Sequence, residues 1–201
     1  MRVLQNRNSR LALILAFGAV LGLPGCSVNV KKDSEGKDKN VDIETPVGGL
    51  HVTQGADVRD IGLPVYPGAR RKETSDNDQH TSAHVNISTS LFGLKVVAIE
   101  YLSDDPPEKL VTYYKDQLKK YGSVLECHTN DLHPGATMNG GDTSGDSKKL
   151  KCEEDQNGKT VELKVGTEQN QHIVSIKPAD DGKGSDFGLV YVQMHGGKDT
   201  I

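Results

Sequence analysis

The chain has 201 residues, a formal net charge of −4, 4% aromatic residues and no tryptophan. That mildly acidic balance lacks the basic footprint that nucleic acid or anionic lipid head groups require of a main partner. Length and the scarcity of large side chains predict one domain of roughly 120–140 residues around a modest aliphatic core.

Arg2, Arg7 and Arg10 open the chain with positive charge, and no acid precedes Asp33. Leu11 to Leu23 is an unbroken run of apolar or small residues. Its length fits a secretory h-region and falls short of the roughly 20 residues of a spanning helix. The run ends in Leu23-Pro24-Gly25-Cys26, which resembles the lipobox of bacterial lipoprotein precursors. The resemblance implies acylation of the Cys26 thiol and cleavage before it, leaving a membrane-anchored protein in the cell envelope. Two or three acyl chains, at about 0.8 kcal/mol per buried CH₂, hold a protein stably where one does not. An ordinary signal peptide with a chance cysteine, or an uncleaved signal anchor, is the plainer alternative. Ser27 follows the cysteine, not Asp, and by the same resemblance favours the outer over the inner membrane. Cleavage removes three arginines and no acid, taking the net charge from −4 to −7.

Residues 26–40 are polar and charged after Cys26 and read as a flexible tether. A single domain is expected over 41–195, with a frayed tail at 196–201. With Cys26 acylated, Cys127 and Cys152 remain as an even pair in an oxidising compartment, where a disulfide is the default. A CxxC redox motif is absent, and two thiols alone do not make a zinc site.

Val41 to Thr53 alternates apolar and polar residues around Pro46 and Gly48-Gly49, predicting strand, turn and strand or one extended arm. Leu63-Pro64-Val65-Tyr66-Pro67-Gly68-Ala69 predicts a corner, with Pro67 and Gly68 suited to the centre of a type II turn. The TP-x-GG arm, the LP-x-YPGA corner and a later Tyr113-Tyr114 pair resemble a group of uncharacterised bacterial lipoproteins. That resemblance covers about 30 scattered residues and implies no activity.

Strands are expected near His84–Ser90 and Leu94–Leu102, the latter central because it is the most β-prone apolar run after Leu23. Asp105, Pro106, Pro107 and Glu108 predict a capped helix start. Leu110, Tyr114, Leu118 and Tyr121 then define one apolar face, and Gly122 ends the helix. Its lysines form a basic face, most simply a solvated one. Ser123–His128, Lys148–Glu153, Thr160–Gly166, His172–Lys177 and Phe187–Met194 read as further strands, with a Gly/Asn/Asp-rich loop over Thr129–Ser147. The expected class is α+β, a mainly antiparallel sheet with one principal helix packed on one face, after a signal peptide and flexible linker.

Chemistry is sparse. His80 and His84, with Asp76 and Asp78 just before them, are weak metal candidates. In an extended chain, residues four apart lie about 13 Å from one another. Neither HExxH, nor a G-x-S-x-G elbow, nor a complete calcium loop occurs, so no catalytic residue and no cofactor is assigned. The sequence therefore points to a lipid-anchored, non-enzymatic binding or envelope-assembly module, its partners the membrane and an envelope protein. A small-ligand or metal-binding lipoprotein is the alternative, with a hydrolase behind it.

Overall fold

A computed structural model describes residues 26–32, 38–53, 55–72, 82–129, 149–152 and 158–196. Its strands are β1 (Ser27–Lys32), β2 (Asp38–Thr45), β3 (Gly48–Thr53), β4 (Arg70–Arg71) and β5 (Ser82–Thr89). After them come β6 (Phe92–Ser103), helix α1 (Pro107–Leu118), β7 (Leu125–Thr129), β8 (Thr160–Thr167), β9 (Asn170–Pro178) and β10 (Ser185–Gly196). All strands join one antiparallel sheet in the order β1-β2-β3-β5-β6-β10-β9-β8-β7, and β4 extends alongside the far end of β6. Among the described residues ten strands stand where the sequence reads eight or nine. Val41–Thr53 forms the strand, turn and strand that are one of its two expected forms, and β1 and the two-residue β4 are the additions.

The strongly apolar β6 is central as expected, paired with β5 and β10. From β6 the chain crosses over through α1 to the far edge at β7. It then returns through β8 and β9 until β10 closes against β6. Leu110, Tyr114 and Leu118 are fully buried and share one core with Val97, Ile99, Phe187 and Leu189, the Tyr114 and Phe187 rings lying 5.7 Å apart. Burying side chains of that size contributes about 1.5–3 kcal/mol each.

The Tyr66–Ala69 corner is a turn with Ala69 N–H donating to the Tyr66 carbonyl at 3.0 Å and Gly68 at φ 78°. The Tyr114 hydroxyl stitches it to the helix, accepting from Tyr66 N–H at 3.0 Å and donating to the Pro64 carbonyl at 3.3 Å.

Four expectations are corrected. Ser27–Lys32 is a strand paired with β2 and not part of a flexible tether. Val28 and Val30 alternate with polar residues, and the hairpin gives their backbone groups partners. The helix cap is Pro106, with no side-chain cap bond. Asp105 instead accepts from the Tyr66 hydroxyl at 2.8 Å and from Lys109 Nζ at 2.7 Å. Tyr121 lies in a 3-10 turn beyond α1 and is exposed, its hydroxyl donating to the Gly62 carbonyl at 2.6 Å. Lys149–Cys152 forms no strand. The expected signal peptide at 1–25, most of the Thr129–Ser147 loop and residues 197–201 lie outside the described residues.

Candidate interaction surface

Strands β1, β2, β3 and β5 form an arm whose two faces differ completely. Cross-strand pairing aligns Val28, Ile43, Leu50, Ile87 and Leu94 in one row. The next row on the same face is Val30, Val41, Val52, Val85 and Val96. Directly opposed side chains share a face, so these rows make a continuous aliphatic surface without a charge. It continues onto β6, β10 and β9 as a cluster of Leu94, Val190, Val192 and Ile173, which contains no helix residue. Helix α1 lies on the other face, over β8 and β9. On the arm the aliphatic side chains are half-buried, apart from the exposed Val28 and Val30.

The arm's helix-side face carries a polar ladder of Asn29, Asp42, His51, Asn86 and Lys95. His51 bridges two carboxylates, with Nδ1 2.8 Å from Asp42 Oδ1 and Nε2 3.0 Å from Glu44 Oε1. The hydrogen bond to Asp42 is the main cause that raises its pKa above the ordinary 6.5. The two carboxylates sit at opposite ring nitrogens, so they do not converge on one cation.

Cys26 is exposed and free, and β1 begins at the next residue. Cys127 and Cys152 form a disulfide with Cα atoms 5.5 Å apart. His84 is half-buried on β5, between Thr53 and Val97 of the neighbouring strands. Asp76, Asp78 and His80 lie outside the described residues. Among the described residues no group of three His, Cys, Asp or Glu side chains is placed to hold a metal. Of the lysines on and just after the helix, Lys109 pairs with Asp105, Lys115 with Glu126 and Lys119 with Asp116, while Lys120 Nζ lies 5.1 Å from the centroid of the Tyr121 ring.

A second feature lies at the end of the helix. His172 stacks on Tyr121 with ring centroids 4.0 Å apart and leans on Tyr191 at 4.9 Å. Burial lowers the His172 pKa, opposed by a hydrogen bond with the Ile61 backbone. These rings line a cleft of about 620 Å³ with Arg59, Gly62 and Asn170.

No family model, curated protein or solved structure matches this chain. Among the described residues no helix is long and apolar enough to cross a membrane. Sequence reasoning missed β1, and with it the width of the aliphatic face. The signal was present in the two-residue spacing of Val28 and Val30.

Proposed function

We propose that this chain is a lipid-anchored lipoprotein of the cell envelope, held by Cys26 and favouring the outer membrane, that works as a non-enzymatic binding or assembly module. The observation that carries this reading is the charge-free aliphatic face of the arm, which starts at Val28, two residues from Cys26. Contiguous apolar surface of this kind on a polar chain is the ordinary mark of a protein contact site. An envelope protein presenting a complementary apolar surface is the partner that suits it. Crosslinking the full-length protein in its native membrane, with identification of the captured chains, tests the reading. One stoichiometric partner is expected, lost on Val52→Asp. A membrane that yields no partner overturns it. Metabolic labelling with palmitate tests the anchor, and incorporation that survives Cys26→Ala refutes it.

The Tyr121–His172–Tyr191 cleft supports a second reading, a small-ligand lipoprotein whose ligand stacks on those rings. Thermal-shift screening with planar polar compounds tests it, and Tyr121→Ala should abolish any response.

A further inference from the structure

Which end of the domain meets the bilayer follows from the register of the arm. Ser27 pairs with Glu44, Thr45 pairs with Gly48, and Gly48 pairs with Thr89. Cys26, the Pro46-Val47 turn and the Ser90-Leu91 turn therefore share one end of the sheet. Val47 and Leu91 are the two most exposed large apolar side chains among the described residues, at 74% and 79%, followed by Val28 at 63% near the same end. Scattered surface leucines and valines need no explanation. Here the extremes fall on two hairpin tips beside the cysteine.

At about 4.8 Å per strand, β1 to β6 spans about 19 Å, so cysteine and tips form a line of three contacts along one sheet edge. The turn connecting β9 to β10, at the opposite end, carries Asp180, Asp181 and Lys183. The two tips nearest Cys26 are thus apolar and the β9–β10 turn at the other end is charged. The Glu168–Gln169 turn shares the end of the tips but sits on the far side of β10, level with Met194 and Leu94 and so set back from Leu91.

We infer that the Val47 and Leu91 hairpin tips enter the membrane interface and stand the sheet upright on the bilayer beside the anchored Cys26. The inference rests on the lipoprotein reading and adds an orientation to it. The occupant is the acyl–head-group boundary of a lipid surface. Small aliphatic tips bind by burial and not by charge, and Glu44, the acid closest to the turn, is engaged by His51. Contact is accordingly independent of anionic lipid and of salt, unlike that of a basic peripheral surface.

The absence of tryptophan from the chain makes a clean experiment. Full-length protein carrying Leu91→Trp, Val47→Trp or Asp181→Trp as its sole tryptophan is purified from membranes. It is then reconstituted into phosphatidylcholine vesicles with brominated acyl chains. Blue-shifted emission quenched by bromine is expected for the two tip variants and not for Asp181→Trp, with no change on adding phosphatidylglycerol or salt. Tip emission indistinguishable from that of Asp181→Trp overturns the inference. Intact mass separates the two failures. Unacylated protein refutes the anchor, whereas acylated protein with unquenched tips refutes the orientation alone. Unacylated protein with quenched tips leaves the tip contact standing. Near-native circular dichroism in each variant establishes that the fold persists.

Discussion

Breaking the Cys127–Cys152 bridge isolates one well-defined contribution to stability. The cysteines are 25 residues apart in sequence. The chain-entropy relation for a loop of that length gives about 3.5 kcal/mol at room temperature, drawn from the unfolded ensemble. For a domain of this size each kcal/mol moves Tm by about 2–4 °C, so the loss corresponds to about 7–14 °C. Cys127 is fully buried on β7, so replacing it adds a packing cost that reduction does not. The assay is urea denaturation of oxidised protein, reduced protein and the Cys127→Ala/Cys152→Ala variant. Reduction is expected to lower the midpoint and raise the slope, since the freed chain exposes more surface on unfolding. The double variant should fall at or slightly below the reduced protein. Coincident curves for oxidised and reduced protein would refute the reasoning.

Other consequences are as direct. Tyr114→Phe leaves Tyr66 N–H and the Pro64 carbonyl without their shared hydroxyl, and should cost about 1–3 kcal/mol in thermal or urea unfolding. Glu162 and Lys164 pair at 3.0 Å on β8 with side chains 5% and 9% exposed. Glu162→Leu should therefore cost about 3–5 kcal/mol, and adding Lys164→Met should recover most of it. Burial lowers the His172 pKa, so this histidine resists protonation in the folded state. Its contribution to stability is complete above the unfolded value and is lost as pH falls through the folded one. An NMR titration of His172 should accordingly show a midpoint below 6.5.

The sequence and the structure agree where one physical signal dominates. Predominantly apolar runs such as Leu94–Leu102 and Phe187–Met194 became the central strands, where side chains on both faces of the sheet are buried or half-buried. The four-residue spacing of Leu110, Tyr114 and Leu118 located the helix because that one face is buried in the core. Disagreement arises where signals compete. Pro106 and Pro107 set the helix start, releasing Asp105 to hold Lys109 and Tyr66. In Ser27–Lys32, charge masked a two-residue period that pairing with β2 makes decisive. Alternation in the arm announced one apolar face per strand, but not on which side of the sheet it would fall. That side is fixed by pairing with β6, which no local pattern encodes.

A one-residue slip between β2 and β3 would turn every aliphatic side chain of one strand to the opposite face, so the surface depends on what pins that register. His51 is the natural pin, since its ring spans Asp42 and Glu44 on the adjacent strand. Its raised pKa, due first to the Asp42 hydrogen bond, means that the folded arm holds the imidazolium more strongly than the unfolded chain does. The contribution is thus complete below the ordinary value of 6.5 and is lost as pH rises through the folded value. Hydrogen exchange at the Val41, Leu50 and Val52 amides, corrected for intrinsic base catalysis, should show protection falling across that interval. His51→Gln, which keeps a donor but cannot charge, should flatten the dependence. Amides of β9 and β10 should not follow it, because their pairing involves none of these groups. A His51 ring titrating at or below 6.5, or arm protection indifferent to pH, would show that strand packing alone holds the register.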